Sequence, residues 1–137
     1  MILCYILMTS SGIPLWFKFF QNISVDRREK YELFSSAIAA VLSLINETFS
    51  DDIKEIIMDN HRLFLMKSRD IILLIVGDKY TKAPTDEFKK FVDDVSRKIN
   101  PDLAIEEIFL RSIIDSLAEF ELKIEELNAF EKISKKI

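Results

Sequence analysis

Two neighbouring apolar runs, Leu63–Met66 and Ile71–Val76, constrain the fold of this chain more than any other stretch. A polar turn, Lys67–Asp70, separates them, and the second run is followed by Gly77, one of two glycines in the chain. This pattern predicts a β-hairpin. Because Ile71–Val76 contains no polar residue, both faces of its strand should be covered, as in a sheet between layers of helices. These residues thus predict an α/β domain, and by themselves they indicate no catalytic or ligand-binding site.

Composition limits the class of protein. The chain has 137 residues, 49% of them hydrophobic and 31% charged, which suits one domain with a real core. A formal net charge of -4, without clustered lysine and arginine, argues against nucleic-acid binding. Cys4 is the only cysteine, so no internal disulfide can form, and we expect a reducing, cytoplasmic setting. The apolar run at the N-terminus is far shorter than the roughly 20 residues that span a bilayer. We therefore expect a soluble protein without an integral membrane segment.

The first 20 residues predict two strands. Ile2–Met8 is rich in β-branched and aromatic residues, and Thr9–Gly12 supplies turn residues. Ile13–Phe20 should form the second strand, at the edge of the sheet, because Pro14 removes a hydrogen-bond donor. Its two faces are Leu15, Phe17 and Phe19 on one side and Trp16, Lys18 and Phe20 on the other. Two interpretations stay open: helices cover both faces, or the aromatic side chains form an exposed patch for a partner.

A helix is predicted from about Asp26, which approximates a capping box with Glu29, to about Thr48. On a helical wheel one half is apolar and should pack on the sheet. This half contains Leu33, Phe34, Ala37, Ile38, Val41, Leu42, Leu44, Ile45 and Phe49. The opposite half is either a solvent face or a docking face for a second subunit. Its small residues include Ser36, Ala39, Ala40 and Ser43.

The remaining chain predicts one short strand, Ile53–Met58, before the hairpin and two helices after it. Thr85 should cap the first of these helices, which ends at Asn100-Pro101. No glycine or proline follows Pro101, so the last helix should run for roughly 30 residues or more. Its apolar residues have the 3-4 spacing of a coiled-coil seam, which would pack either on the domain itself or on a partner helix. The seam residues are Leu110, Ile113, Leu117, Phe120, Ile124 and Leu127.

The sequence contains no recognisable catalytic or cofactor-binding pattern. His61, the single histidine, is predicted in a turn, without a neighbouring nucleophile. Acidic pairs such as Asp93–Asp94 and Glu125–Glu126 are adjacent in sequence, which on a helix directs their side chains about 100° apart. Gly12 and Gly77 are isolated, so neither belongs to a phosphate-binding loop. We expect no enzyme activity, no metal and no cofactor.

The order of predicted elements is strand, strand, helix, three strands, helix, helix. It resembles the longin domain, an α+β sandwich in which a five-stranded antiparallel sheet carries one helix on one face and two on the other. The turn Gly12-Ile13-Pro14-Leu15 is similar to the turn between the first two strands of longin-type vesicle SNAREs and of the first longin domain in the Fuzzy and monensin-sensitivity families. The hairpin also resembles these families and the small chains of clathrin-adaptor complexes. The resemblance covers residues 1–118, with 119–137 as a C-terminal helical extension of the same domain.

The resemblance implies a non-enzymatic, dimeric interaction module, a scaffold or regulator associated with small GTPases and membrane trafficking. Its partner would be a second copy or another longin- or roadblock-type chain, and peripheral membrane association is compatible with it. The alternative is a structural subunit similar to an adaptor small chain, which binds a larger partner through its C-terminal helix without contacting a GTPase. The predicted contact residues are Trp16, Lys18, Phe20, Ser36, Ala39, Ala40, Ser43, Phe120, Ile124 and Leu127. The many isoleucine and lysine residues suggest an AT-rich, prokaryotic or archaeal genome.

Overall fold

The computed structural model describes residues 1–99 and 105–135. In this part of the chain, strands and helices follow each other in the predicted order. They are β1 (Ile2–Thr9), β2 (Pro14–Phe19), α1 (Val25–Phe49), β3 (Glu55–Ile57), β4 (His61–Ser68), β5 (Ile71–Asp78), α2 (Asp86–Lys98) and α3 (Ile105–Lys135). β3 is shorter than predicted. Thr85 precedes α2, but its side chain makes no capping hydrogen bond. The predicted stop at Asn100-Pro101 lies outside the described residues.

The strands form one antiparallel sheet in the order β2-β1-β5-β4-β3. As predicted, β5 is central and β2 lies at an edge. Residues Ile71–Gly77 are all buried, which confirms that both faces of this strand are covered. Because side chains alternate along a strand, β5 supplies two separate cores. Ile71, Leu73 and Ile75 belong to one, and Ile72, Leu74 and Val76 belong to the other.

Helices α2 and α3 cover the sheet face that carries Tyr5 and Leu73. Their buried residues are Phe88, Phe91, Val92 and Val95 of α2 and Ile113, Leu117, Phe120 and Ile124 of α3. The ring centroid of Phe120 lies 3.9 Å from that of Phe91 and 5.0 Å from that of Tyr5. The predicted seam on the last helix therefore packs on the domain itself at these positions. The side chain of Leu110 lies outside the described residues.

The ends of α1 are fixed by local hydrogen bonds. Ser24, with an extended backbone, is the N-cap, and its Oγ accepts a hydrogen bond from the backbone N of Arg27 at 3.3 Å. The helix begins one residue before the predicted position, and its cap is Ser24 rather than Asp26, which lies in the first helical turn. At the other end Ser50 is left-handed, with φ 54°, and its N–H donates to Asn46 O at 2.8 Å. This left-handed residue ends the helix.

The predicted orientation of α1 on the sheet is wrong for most of its apolar half, although Ile38 and Leu42 pack on the sheet as predicted. Three of its residues are buried: Ser35, Ile38 and Ala39. Several residues that the helical wheel assigned to the sheet are exposed instead: Leu33, Phe34, Val41, Leu44 and Phe49. Leu33 is 74% exposed and Leu44 is 61% exposed. The helix thus turns much of its apolar side away from its own sheet.

The turn between β1 and β2 explains this orientation. Gly12 lies so close to α1 that a Cβ added to it would be 3.1 Å from the Cβ of Ala39 and 3.3 Å from the Cα of Ser36. The hydroxyl of Ser36 also donates to the carbonyl oxygen of Gly12 at 3.1 Å. Such a close approach leaves room for small side chains only. Ser36 and Ala39 therefore face the turn, and Leu33 and Leu44 face outward.

Candidate interaction surfaces

Three predicted contact residues, Trp16, Lys18 and Phe20, lie in or directly after the edge strand β2 and are half-buried. Trp16 Nε1 donates to Glu121 Oε1 at 3.0 Å, and both aromatic side chains pack against the core under α2 and α3.

Phe17 and Phe19 on the opposite face of β2 pack against the core under α1. Leu15 was predicted on that face but packs against the core under α2 and α3, because the register between β1 and β2 shifts beside it. Helices therefore cover both faces of β2, which decides between the two interpretations of its aromatic residues. The unpaired backbone edge beside Lys18 remains accessible.

The four predicted residues of α1 fall on two sides of the helix. Ala39 is 3% exposed and lies against Gly12, so its side chain is not accessible to a partner. Ser36 is exposed, although its hydroxyl is bonded to the same turn. Ala40 and Ser43 are exposed.

The three predicted residues of α3 also divide. Phe120 and Ile124 are buried in the core of this chain, and their assignment to a partner interface is wrong because the sheet already covers them. Leu127 is 43% exposed and remains accessible. The predicted contact residues therefore do not meet in one surface, since they are distributed over β2, α1 and α3.

Two polar residues of α3, which the sequence analysis did not single out, hold this helix on the sheet. Glu121 Oε1 accepts hydrogen bonds from Tyr5 OH at 2.7 Å and from Trp16 Nε1 at 3.0 Å. The carboxamide of Asn128 accepts from Ile2 N and donates to Ile2 O, both at 2.9 Å. Asn128 thus bonds to the backbone of β1 as a neighbouring strand would. These bonds fix the rotation of α3 about its axis.

The protonation of Tyr5 follows from its position. Burial raises the pKa of Tyr5 well above its ordinary value, and the hydrogen bond and negative charge of Glu121 raise it further. The phenol is therefore protonated at neutral pH and donates a hydrogen bond to the carboxylate of Glu121. A sequence signal existed for the second contact: Asn128 follows Ile124 by four residues and interrupts an apolar seam, a pattern typical of buried hydrogen bonds.

The α1 outer face is the name used below for Leu33, Ala37, Ala40, Val41 and Leu44, all of which are exposed. Phe34 and Phe49 extend its apolar surface. From Leu33 to Asn46 the helix contains 14 consecutive residues without a charge. Exposed apolar surface that is continuous along a helix marks an interaction site more often than isolated exposed residues do.

By length and composition alone, α1 is long and apolar enough to cross a membrane, and core helices of soluble proteins meet the same two criteria. In this structure α1 covers one face of the sheet through Ile38 and Ala39. Only 17% of its most apolar 18-residue window is buried, however. Most of this apolar helix surface has no cover within the described part of the chain.

An open groove of about 710 Å³ lies between the C-terminal half of α1 and the β3–β4 edge of the sheet. Its lining includes Leu42, Asn46, Ile53, Leu65 and Lys67.

His61, the single histidine, lies at the start of β4 and does not line this groove. Among the described residues, no three His, Cys, Asp or Glu side chains are grouped so that they could hold a metal ion. The groove offers mixed polarity and no catalytic constellation.

Comparison with known proteins gives structural likenesses at low identity. No family model matches the chain, and no curated protein matches it. A Roadblock/LC7 domain from Streptomyces avermitilis aligns with a TM-score of 0.46 and 13% identity, over 60% of this chain and 70% of that one. The gliding protein MglB from Thermus thermophilus aligns with a TM-score of 0.47 and 13% identity, over 65% and 68%. A chain from a homology model of the AP-3 complex aligns with a TM-score of 0.49 and 11% identity, over 94% and 98%.

These likenesses are too weak to transfer any residue or activity. The fold is established by the chain's own topology: strands in the order β2-β1-β5-β4-β3, with α1 packed on one face and α2 and α3 on the other. That is the arrangement implied by the sequence resemblance, and the chain has a longin-like fold.

Proposed function

We propose that this chain is a non-enzymatic interaction module that pairs with a second copy through the α1 outer face and acts as a scaffold or regulator for a small GTPase in membrane trafficking. The observation that carries the pairing is the uncovered apolar side of α1, where Leu33 is 74% and Leu44 is 61% exposed. The GTPase part comes from the longin resemblance, and it has its own test below.

The α1 outer face is complementary to itself. When two copies of α1 pack antiparallel around a twofold axis between Ala37 and Ala40, Leu33 of each copy faces Leu44 of the other. The two alanines lie at the crossing, where small side chains let the helices approach closely. In the same register Lys30 of each copy lies opposite Glu47 of the other. A twofold interface makes every contact twice, so both the apolar centre and the charged ends are matched.

Sedimentation equilibrium tests the pairing. We expect the wild-type chain to be a dimer and Leu44→Glu to be a monomer with an unchanged circular dichroism spectrum, because the new carboxylate would be buried against Leu33 of the other copy. Leu122→Glu, the same change at an exposed site on the opposite side of the sheet, is the matched control and should stay dimeric.

Charge exchange tests the register. Lys30→Glu and Glu47→Lys should each weaken the dimer, because like charges would then face each other at both ends. The double variant K30E/E47K should recover wild-type affinity. A wild-type chain that remains monomeric at about 100 μM, far above the Kd of a stable dimer, would contradict the pairing. If that monomer instead sedimented with lipid vesicles, the α1 outer face would be a membrane-binding surface.

The GTPase part is tested with purified small GTPases from the same genome, each loaded with GDP or with a non-hydrolysable GTP analogue. We expect one of them to bind in a nucleotide-dependent way at the β2 edge, so that Lys18→Glu weakens binding and leaves the dimer intact. Lys54→Glu, the same charge reversal at an exposed residue beside the opposite edge strand β3, is the matched control. If no GTPase binds the intact dimer, the regulator proposal fails while the pairing stands.

A structural subunit similar to an adaptor small chain is the second candidate. Of the three contact residues predicted on α3, Phe120 and Ile124 are buried in this chain, and only Leu127 is exposed. The candidate therefore requires other residues of α3, and exposed apolar residues do occur on the outer side of that helix: Ile114, Leu122, Phe130 and Ile133.

A further inference from the structure

We infer that α3 carries a second docking surface, which binds an amphipathic helix of a partner protein whose apolar stripe is flanked by lysine or arginine. The surface, called here the α3 outer stripe, consists of Ile114, Ala118, Leu122, Ala129 and Ile133, with Phe130 beside its C-terminal half. It goes beyond the proposed self-pairing because it lies on the opposite side of the sheet and does not depend on α1.

The spacing of these residues keeps them on one face of the helix. Successive members lie four residues apart, except for the step from Leu122 to Ala129, where Glu125 occupies the intermediate position. This is an eleven-residue repeat of about 3.67 residues per turn, close to the 3.6 of a straight α-helix. From Ile114 to Ile133 the stripe is about 28 Å long at 1.5 Å per residue. A stripe of this length matches the side of a partner helix and is longer than the contact that a single loop would make.

The stripe has no cover in the described part of the chain, and α3 cannot rotate to bury it. Leu122 is 57% exposed and Phe130 is 68% exposed. The opposite side of α3 is fixed by the buried seam and by the hydrogen bonds of Glu121 and Asn128. Rotation would expose Phe120 and break these polar contacts. The chain therefore presents this second apolar stripe permanently.

Charge indicates the chemistry of the occupant. Asp115, Glu119 and Glu126 lie along one border of the stripe, and Glu125 interrupts it. Basic residues near the stripe are Lys123, which pairs with Glu119 at 3.7 Å, and Lys132 on the opposite border. The surface is thus net negative, which disfavours both a second α3 and an anionic membrane. An amphipathic helix with basic flanks satisfies the apolar and the electrostatic requirement together.

The location gives the module two independent faces. α1 packs on the core that contains Leu74, whereas α3 packs on the core that contains Leu73. A pair joined through α1 would hold two α3 outer stripes at its outside. The same chain can then join to itself on one side and bind a helix on the other.

The test uses two synthetic helical peptides of about 22 residues, long enough to match the stripe. Both carry leucine at the 4-4-3 spacing; one has lysine at all flanking positions and the other has glutamate there. Each is titrated into the full chain by isothermal calorimetry, and the site is mapped by amide chemical-shift changes. We expect the lysine peptide to bind at least about tenfold more tightly than the glutamate peptide, a difference of about 1.4 kcal/mol.

Three variants locate the site. Leu122→Ser and Phe130→Ala should each weaken the lysine peptide at least about tenfold, as hot-spot truncations do. Ile57→Ser on β3 is the matched control, because Ile57 is 73% exposed and lies in neither proposed surface, and it should leave the peptide affinity unchanged. Equal binding of the two peptides, shift changes on α1 rather than α3, or no binding of the lysine peptide would each overturn the inference. Loss of self-association in Leu122→Ser would also overturn it, because the stripe would then be a contact between copies.

Discussion

The two faces of the sheet receive equivalent side chains from β5 but have very different covers. On one face, α2 and α3 bury four aromatic or aliphatic residues each, and Phe120 contacts several rings. On the other, α1 buries Ser35, Ile38 and Ala39 only. The first face is a complete core within the chain. The second is a thin contact that leaves the larger residues of the helix in solvent.

This difference explains how one helix can contact its own sheet and still offer an apolar surface to a partner. A helix that meets its sheet through small residues comes close to the backbone, as α1 does at Gly12, and so it needs little of its apolar surface there. A helix that meets its sheet through large residues, as α3 does with Phe120, buries a larger apolar area within its own domain. Four stability measurements test this contrast between α1 and α3.

Phe120→Ala should cause the largest loss of stability, about 3–5 kcal/mol, because it removes a buried ring from a closely packed aromatic cluster. Urea denaturation followed by circular dichroism measures it. Phe130→Ala, the same change at an exposed position of the same helix, should alter the free energy of unfolding by less than about 0.5 kcal/mol. Similar losses in the two variants would show that α3 is not fixed by the core under α2 and α3.

Gly12→Ala should cost about 1–3 kcal/mol, because its φ of 93° strains any L side chain and its new Cβ would press on Ser36 and Ala39. The same denaturation experiment applies. Ser11→Ala, in the same turn, is exposed and should be nearly neutral. If Gly12→Ala were equally neutral, close approach of the turn would not be what orients α1.

Tyr5→Phe should lose about 1–2 kcal/mol near neutral pH, because Glu121 loses one of its two donors. The pKa of Tyr5 is raised in the folded chain, so its contribution is present below the ordinary tyrosine value of about 10 and is lost as pH rises above it. The wild-type stability should therefore fall more steeply above about pH 10 than that of the variant, by up to about 1.4 kcal/mol per pH unit.

The titration of Cys4 does not disturb this comparison, although burial raises the pKa of its thiol to about 12. The thiol is present in both chains, so its contribution cancels. Parallel pH profiles for wild type and Tyr5→Phe would contradict the assignment of Tyr5 as a buried donor.

Leu44→Ala should have the smallest effect on the folding of an isolated chain, less than about 0.5 kcal/mol when measured at dilutions where the chain is monomeric. Ile38→Ala, six residues earlier on the buried side of the same helix, should cost about 2–5 kcal/mol. At concentrations that favour the dimer, Leu44→Ala should become destabilising, because pairing adds to apparent stability by mass action. An effect that is independent of concentration would argue against a partner on this face.

The order of elements, the central position of β5 and the edge position of β2 were predictable because they depend on local signals. An uninterrupted apolar run such as Ile71–Val76 needs two covers whatever surrounds it. Pro14 disfavours a central strand because proline has no backbone N–H to donate to a neighbouring strand. The seam of α3 was visible for the same reason, since spacing along a helix determines which residues share a face.

The rotation of α1 and the partner of the α3 seam were decided by contacts between distant parts of the chain. A helical wheel identifies an apolar half of α1, but it contains no information about Gly12, which lies against Ser36 and Ala39 on the other half. Glu121 and Asn128 bond to residues of β1 more than 100 positions away, and no local pattern names those partners. Sequence alone therefore determined the elements and their order, because local sterics and hydrophobic spacing set them. Only the tertiary structure decided which helix faces were buried and which were left for partners, because that depends on how closely each pair of backbones can approach.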